Sequence, residues 1–152
     1  MTSEEVKERF EKEFLLSLWD RPQIILWLKR SHRCFPHIEK MLKQNGLPDD
    51  LKYLAVAESA LRPHAGSRRG AIGFWQFMRY TGRKYGLEIN RRIDERRNLF
   101  ASTQAAIRYL KALHEEFGSW TLVAAAYNMG EAGLRAEILE QQTDDYYKLY
   151  LP

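Results

Sequence analysis

The sequence contains few of the residues that build metal centres, disulfides or membrane spans. Its 152 residues include one cysteine, Cys34, which excludes an intrachain disulfide and a cysteine-rich metal site. The four histidines are scattered and do not show the short spacing of paired zinc ligands. The longest apolar run, at residues 122–127, has six residues, whereas a membrane-spanning helix needs about 20. We therefore expect no metal ion, no cofactor and no membrane-spanning segment in this sequence.

Valine is also scarce, with three residues, while alanine, leucine, glutamate, lysine and arginine are abundant, and this composition favours helices over strands. Hydrophobic residues make up 45% of the chain and charged residues 29%, which is typical of a globular protein. A chain of this length fits one domain. We expect a predominantly α single domain over residues 1–152, in which helices of residues 1–47 pack on a core of residues 48–141.

Prolines, glycines and capping residues mark where helices begin and end. The predicted helices span residues 3–19, 22–29, 35–46, 49–61, 74–85, 100–117, 120–128 and 131–141. Residues 65–73 are the least helical stretch because three glycines interrupt it, and a loop or small hairpin is predicted there. The charged residues 91–98 are expected at the surface.

The net charge of +4 is unevenly distributed along the chain. Residues 62–97 carry ten lysines and arginines against three acidic residues. Such a segment either faces an anionic partner or forms a solvated basic surface. Nucleic acid is not the expected partner, because acidic residues run through the first and last predicted helices and no recognition motif is present.

The most informative residue is Glu58, a carboxylate on the apolar face of a predicted helix. Its apolar neighbours follow helical spacing and are Leu51, Leu54, Ala55, Ala57 and Leu61. A charge in that position is costly, so the carboxyl group must be paired or have a raised pKa. One interpretation is an ion pair with Arg62, four residues further on. The other is a carboxyl group that stays protonated near neutral pH and acts as a general acid.

The residues after Glu58 are of the kinds that line a sugar-binding cleft. A glycine-punctuated loop with Ser67 leads to an aromatic run around Trp75, whose ring faces can cover pyranose rings. Gln76 can both donate and accept hydrogen bonds. The plain alternatives are core packing for the aromatic residues and a turn role for Ser67.

A second polar pair, Tyr127 and Asn128, follows an apolar run of small residues. A helix of small residues lets neighbouring backbones approach closely, and its end then presents a phenol and an amide. The plain alternatives are a core tyrosine with a satisfied hydroxyl and a helix-terminal asparagine.

Three segments together resemble the catalytic domain of lytic transglycosylases of the soluble type, which are related to goose-type lysozyme. They are Glu58-Ser59-Ala60-Leu61-Arg62-Pro63, Gly70-Ala71-Ile72-Gly73-Phe74-Trp75-Gln76-Phe77-Met78 and Ala126-Tyr127-Asn128-Met129-Gly130. Residues 9–36 resemble the subgroup of membrane-bound lytic murein transglycosylase D. The resemblance implies a lysozyme-like, predominantly α fold with a glycan cleft and the glycine-rich loop or small hairpin beside it.

The resemblance also implies roles for single residues. Glu58 corresponds to the catalytic acid and base. The expected substrate-binding or acid-positioning residues are Ser67, Trp75, Gln76, Met78, Tyr127 and Asn128. Arg79 stands where the family often has proline, and Trp75 where many relatives have methionine, but neither change removes a catalytic group.

The implied reaction breaks the β-1,4 bond between N-acetylmuramic acid and N-acetylglucosamine without water and leaves a 1,6-anhydromuramyl end. One carboxylate suffices because the substrate supplies the nucleophile, whereas ordinary glycosidases need two. Glu131 is the best second candidate, although an acidic residue in the first turn of a helix has a plain structural explanation. A hydrolytic muramidase and a catalytically silent peptidoglycan-binding module are the alternatives.

The expected partner is a peptidoglycan glycan strand, bound by a monomer. The family is exported to the bacterial envelope, so the periplasm is the expected location, although the sequence opens without an export signal. The C-terminal glycan-binding modules usual in the subgroup are also missing from it. We therefore expect a catalytic core of a longer protein, anchored to membrane or wall through regions outside this chain.

Overall fold

The computed structural model describes residues 7–8, 11–12, 14–15 and 21–151, which are mainly helical. The helices are α1 (Arg21–Gln44), α2 (Lys52–Ser59), α3 (Arg79–Lys84), α4 (Leu99–Phe117), α5 (Trp120–Met129) and α6 (Glu131–Gln141). Short 3₁₀ turns, Asp49–Leu51 and Glu95–Arg97, precede α2 and α4. None of the described helices is long and apolar enough to cross a membrane. The predicted helix over residues 3–19 lies mostly outside the described residues.

Backbone contacts divide the chain into two compact units. The central unit, Trp27–Ala112, holds α2, α3 and most of α1 and α4. The terminal unit combines Met1–Leu26 with Leu113–Pro152 and holds α5 and α6. The predicted single domain, with residues 1–47 packed on a core of residues 48–141, stays a prediction.

Helix α1 is continuous through Pro36, so the predicted division into helices 22–29 and 35–46 is wrong. A proline inside a helix costs about 3 kcal/mol, because it has no N–H donor and its ring crowds the preceding turn. The buried residues Cys34, Ile38 and Leu42 follow at four-residue spacing on both sides of this proline. Burying an isoleucine or leucine side chain contributes about 1.5–3 kcal/mol, so together they outweigh the proline.

The first residue of α2 is fastened to α1 by a buried ammonium group. The Lys52 side chain is 10% exposed, and its Nζ lies 2.6 Å from a Glu39 carboxylate oxygen and also contacts Asp49 in the 3₁₀ turn. Hydrogen bonds to Asp49 and Glu39 raise the pKa of Lys52 above its usual value, so the ammonium stays charged. The helix that carries Glu58 is therefore held at its beginning.

The core of the central unit includes α4 and the segment before α3. The fully buried residues along α4 are Ser102, Thr103, Ala105, Ala106, Ile107 and Leu110. Trp75 is fully buried as well, and its indole Nε1 donates a 3.0 Å hydrogen bond to the Thr103 hydroxyl. The polar atom of a deeply buried indole is thus satisfied.

The predicted helix over residues 74–85 is wrong in its first half, because α3 begins only at Arg79. Residues 73–76 form a turn in which Gln76 has a φ of 48°, a left-handed value incompatible with a continuing helix. Phe74, Trp75 and Phe77 are all buried. A helix would spread these three side chains over a wide arc, whereas the turn lets all of them enter the core.

Residues 91–98 lie mainly at the surface, as their charge predicts, but Arg96 is an exception and is only 2% exposed. Its guanidinium makes hydrogen bonds of 2.8 and 2.7 Å to the Asp94 carboxylate. Nη1 donates to the carbonyl oxygens of Gly70 and Phe77, each at 3.1 Å. The hydrogen bonds from Arg96 lower the pKa of Asp94. The buried charge is tolerated because it is paired and its N–H groups find acceptors.

In the terminal unit, α5 and α6 confirm the helices predicted at residues 120–128 and 131–141. The Ser119 hydroxyl caps α5 by accepting a hydrogen bond from the Leu122 N–H at 3.3 Å. An ion pair of 2.5 Å between Arg135 and Glu116 joins α6 to the last turn of α4. The buried residues of the two helices are Leu122, Val123, Ala126 and Leu134.

Gly73 is a position where the fold has no room for a side chain. Its φ is +87°, and an added Cβ would overlap the carbonyl group of Arg96. At Gly70 φ is +90°, but nothing lies within 4 Å of an added Cβ.

We expect Gly73→Ala to lower the free energy of unfolding by at least about 3 kcal/mol, because main-chain atoms must move to make room for the Cβ. We expect Gly70→Ala to lower it by about 1–2 kcal/mol, from backbone strain alone. Urea unfolding measures the free energy of unfolding of both variants. Equal decreases in the two variants would contradict the overlap between a side chain at position 73 and the Arg96 carbonyl group.

Candidate active site

Glu58 lies in the last turn of α2 and is half-buried. The predicted apolar neighbours that are buried are Leu51, Ala55 and Leu61. Ala57 is exposed, so its assignment to the apolar face is wrong. Among the described residues no three His, Cys, Asp or Glu side chains lie together as metal ligands do. The half-buried carboxyl group of Glu58 is a candidate for acid–base chemistry.

Glu58 has no ion pair among the described residues, so its interpretation as the partner of Arg62 is wrong. Helix α2 ends at Ser59, and the next residues, Ala60 and Leu61, have left-handed φ values of 52° and 56°. Arg62 is therefore no longer on the helix, and its Nε donates to the Ser59 carbonyl oxygen at 3.1 Å. Burial without a compensating charge raises the pKa of the Glu58 carboxyl group.

The two left-handed residues after α2 are strained, since this conformation costs a non-glycine residue about 1–2 kcal/mol. The Ala60 N–H donates to the Val56 carbonyl oxygen at 2.7 Å, and the Ala60 carbonyl oxygen accepts from Arg30 Nη1 at 3.2 Å. Leu61 is 2% exposed, so its burial offsets part of the strain. The chain thus leaves the helix abruptly, directly after Glu58.

Ser59 joins the end of α2 to the aromatic turn. Its side chain is buried, and Oγ lies 3.0 Å from the Ala55 carbonyl oxygen and 2.7 Å from the Phe74 carbonyl oxygen. A hydroxyl has one hydrogen to donate, and the shorter distance indicates that Phe74 is its main acceptor. The helix that carries Glu58 and the turn that carries Trp75 therefore share a direct hydrogen bond.

Residues 66–77 form a small hairpin, which agrees with the loop or small hairpin predicted over residues 65–73 and extends beyond it. Antiparallel bridges pair Gly66 with Ile72 and Ile72 with Phe77. Ser67 lies at its turn, where Oγ accepts a hydrogen bond from the Ala71 N–H at 3.1 Å. Ser67 thus has the turn role of the plain alternative, but it is exposed and its hydroxyl hydrogen remains available to a ligand.

Gln76 and Met78 follow at the end of this hairpin. The Gln76 amide nitrogen donates to the carbonyl oxygens of Ala65 and Gly73, at 3.2 and 2.9 Å. These bonds use both amide hydrogens, and the amide oxygen has no partner in the described part of the chain. Met78 is 43% exposed. The hairpin therefore offers a ligand one fixed acceptor and one apolar side chain.

Trp75 is not placed to contact a substrate, contrary to the expectation from sequence. The side chain is 0% exposed, and its indole N–H is held by Thr103 in the core. A ring that solvent cannot reach is also out of reach of a sugar. We therefore correct its role from substrate binding to support of the hairpin from within the core.

The other two predicted site residues, Tyr127 and Asn128, lie in the last turn of α5, in the terminal unit. Tyr127 is half-buried and Asn128 is exposed. The helix ends at Met129, and Gly130 follows with a φ of 91°. The position of Asn128 agrees with a helix-terminal role and with a binding role alike, so the function of both residues stays a prediction.

Two residues that position the site, Ser59 and Arg96, are missed by the sequence reasoning. A signal existed for Ser59, because it follows Ala55 by four residues and so lies on the buried face of α2. The sequence contains no comparable signal for Arg96, because this residue stands in a run of charged residues that ordinarily predicts a segment at the protein surface.

The chain matches the family model described as Transglycosylase SLT domain over residues 35–150. It is 38% identical over 120 residues to Membrane-bound lytic murein transglycosylase D of Escherichia coli, a match covering 76% of this chain and 26% of that protein. It is 35% identical over 105 residues to Peptidoglycan transglycosylase gp16 of an Escherichia phage, covering 67% of this chain and 8% of the phage protein. The chain thus spans about a quarter of the first relative's length, 26%.

Among solved structures, the chain is similar to an inactive mutant of Lytic Transglycosylase Slt from Pseudomonas aeruginosa. The TM-score is 0.58 at 23% sequence identity, over 76% of this chain and 20% of that one. At this level of identity the likeness concerns the fold alone. Together with the helices described above, it confirms the expected predominantly α, lysozyme-like fold.

The raised pKa of Glu58 predicts how stability changes with pH. The unfolded carboxyl group has its ordinary pKa of 4.5, and the folded one has a higher pKa. Above pH 4.5 the unfolded state therefore loses its proton first, so this group destabilises the protein as the pH rises towards the folded pKa. Glu58→Gln removes the titration. We expect its unfolding free energy, relative to wild type, to increase between about pH 4 and about pH 7.

Urea unfolding at both pH values checks this expectation. Glu115→Gln, which removes an exposed carboxylate from α4, is the matched control. An unfolding free energy of Glu58→Gln that stays constant or decreases relative to wild type would contradict a pKa raised by burial.

Proposed function

This chain belongs to the transglycosylase SLT domain family, and on that basis we propose that it cleaves peptidoglycan. The bond proposed is the β-1,4 linkage between N-acetylmuramic acid and N-acetylglucosamine. The products are a free N-acetylglucosamine end and a 1,6-anhydromuramyl end. The observation that carries the proposal is the environment of Glu58. Its carboxyl group is half-buried and has no ion pair among the described residues, and burial raises its pKa.

In the first step Glu58 acts as a general acid. A carboxyl group with a raised pKa keeps its proton at a higher pH, as proton donation near neutrality requires. The proton passes to the glycosidic oxygen while the bond from that oxygen to the muramic C1 breaks. The N-acetylglucosamine leaves with the new hydroxyl group, and the neighbouring N-acetyl group stabilises the positive charge at C1.

In the second step the same residue acts as a base. Ionised Glu58 takes the proton of the muramic C6 hydroxyl, and the C6 oxygen bonds to C1. This closes the 1,6-anhydro ring and restores the protonated carboxyl group, so neither water nor a second carboxylate is consumed. Partial burial favours proton uptake by the carboxylate, so the same environment serves both steps.

A second carboxylate is not required by this mechanism, and Glu131 has another explanation. It is the first residue of α6, where an acidic side chain interacts favourably with the positive end of the helix dipole. Glycosidases that use two carboxyl groups hold them on either side of the bond. The single-carboxylate reaction is therefore the one that we propose.

We propose the hairpin as a sugar-binding element. The Gln76 amide oxygen accepts a hydrogen bond from a sugar hydroxyl or N-acetyl N–H, and the Ser67 hydroxyl donates one. Met78 covers apolar sugar surface. Tyr127 and Asn128 are proposed as further substrate-binding residues, on the strength of the family's sequence pattern.

The proposed site of action is the bacterial cell envelope, where peptidoglycan is found. The Escherichia coli relative is named a membrane-bound murein enzyme, which supports this location. The chain is proposed to act as a monomer on glycan strands and without a cofactor.

Cleavage of purified peptidoglycan sacculi tests the proposed function. We expect the wild type to release soluble muropeptides with 1,6-anhydro ends, identified by mass spectrometry. Glu58→Gln should release none, because an amide is far too weak an acid to protonate the glycosidic oxygen. The matched control is Glu131→Gln, which we expect to retain most of the activity. Products with reducing ends would indicate a hydrolytic muramidase. If folded wild-type protein released no product, the chain would be a binding module.

Replacement of Tyr127 by phenylalanine tests the proposed role of its hydroxyl group. The change removes one oxygen and leaves the ring, so we expect an intact fold by circular dichroism. The rate of muropeptide release should fall by about 10- to 100-fold if the hydroxyl orients a reacting group. A variant with the wild-type rate would remove Tyr127 from the proposed site.

A further inference from the structure

The basic residues 62–97 contain ten cationic side chains, and the structure separates them into two groups. Those with partners inside the protein are Arg62, Arg83, Lys84, Arg96 and Arg97. Those that are exposed, with side chains that have no partner among the described residues, are Arg68, Arg69, Arg79, Arg91 and Arg92. The first group contributes to the fold, while the second is available to a ligand.

Arg96 brings three of the available arginines together. Its Nη1 lies 3.1 Å from the carbonyl oxygen of Gly70 and 3.1 Å from that of Phe77, so these two oxygens are no more than twice that distance apart. An arginine pair directly precedes Gly70, and a third arginine comes two residues after Phe77. All three arginines therefore lie within two residues of a carbonyl group that Arg96 holds, the pair in the first turn of the hairpin and the third at the beginning of α3. We call them the arginine rim: Arg68, Arg69 and Arg79.

The arginine rim is adjacent in sequence to the proposed sugar-binding groups, with Arg68 directly after Ser67 and Arg79 directly after Met78. Gln76 lies between the two halves of the rim in sequence. The hairpin is tied to the Glu58 helix by the 2.7 Å hydrogen bond from Ser59 to the Phe74 carbonyl oxygen. A strand bound at Gln76 would therefore pass beside exposed guanidinium groups.

We propose that the arginine rim binds carboxylate groups carried by the glycan strand. This inference rests on the proposed function and assigns to the same site a preference for anionic strands. Guanidinium groups pair with carboxylates through two parallel, charge-assisted hydrogen bonds. A strand offers carboxylates from two sources, namely the peptide stem and, where the stem has been removed, the lactyl group of muramic acid.

A binding measurement on catalytically inactive protein tests the rim without turnover of the strand. In the Glu58→Gln background, Arg68→Gln/Arg69→Gln is compared with Arg91→Gln/Arg92→Gln, which removes the same charge from an exposed turn elsewhere in the unit. The probes are soluble strands with peptide stems, strands whose stems an amidase has removed, and chitin oligosaccharides, which carry no carboxylate.

We expect the rim variant to raise the Kd for stem-bearing strands about tenfold and the control by less than about twofold. The background protein should bind more weakly as salt increases, and the rim variant should show little of this dependence. A loss confined to stem-bearing strands identifies the stem as the source, and a loss on both anionic strands identifies the lactyl group as well. Arg79→Gln should weaken binding to the same strands.

The inference is overturned by any of three results: unchanged affinity in the rim variant, equal losses in rim and control variants, or an equal loss on chitin oligosaccharides. Its failure differs from failure of the proposed function. Anhydro products from wild type without rim-dependent binding would refute the rim alone. Rim-dependent binding without any product would refute the cleavage alone.

Discussion

The ion pair between the buried Arg96 and the half-buried Asp94 holds together the part of the central unit on which the candidate site is built. A guanidinium group that is 2% exposed is stable only when its charge is paired and its N–H groups have acceptors. Here the Asp94 carboxylate and two main-chain carbonyl oxygens meet both requirements. Removing the carboxylate that pairs with a buried guanidinium ordinarily costs about 3–5 kcal/mol, because the cation is left buried and uncompensated. The close approach of Gly73 to the Arg96 main chain adds a steric requirement at the same place.

A chain of contacts leads from this pair to Glu58. Arg96 donates hydrogen bonds to the first turn of the hairpin and to its last residue. The second turn of the hairpin accepts a hydrogen bond from Ser59, which is the last residue of α2. At the other end of the same helix, Lys52 is bound to α1. An eight-residue helix is too short to be stable alone, so these two attachments hold it in position.

This arrangement positions Glu58 without neutralising it. The attachments use the neighbouring Ser59 and the backbone of Ala60, so the carboxyl group itself is left without an ionic partner among the described residues. Two left-handed residues follow, and their strain is offset by the Arg30 hydrogen bond and the burial of Leu61. A carboxyl group held by its surroundings and partly desolvated is suited to exchanging a proton with a bound ligand.

Local signals were sufficient for the helices α4, α5 and α6, for a hairpin within residues 65–73 and for the partial burial of Glu58, because periodicity, capping and glycine spacing act over a few residues. Local signals failed at Pro36, where the burial of apolar residues on both sides outweighs the cost of the proline within the helix. They also failed at Trp75, where a helix was predicted but a turn places the aromatic side chains in the core. Only the tertiary structure decided that Arg96 is buried and that three arginines on two elements lie near the carbonyl groups it holds. These outcomes depend on groups far apart in sequence, whose meeting is set by the satisfaction of buried charges and main-chain acceptors and not by the propensity of any segment.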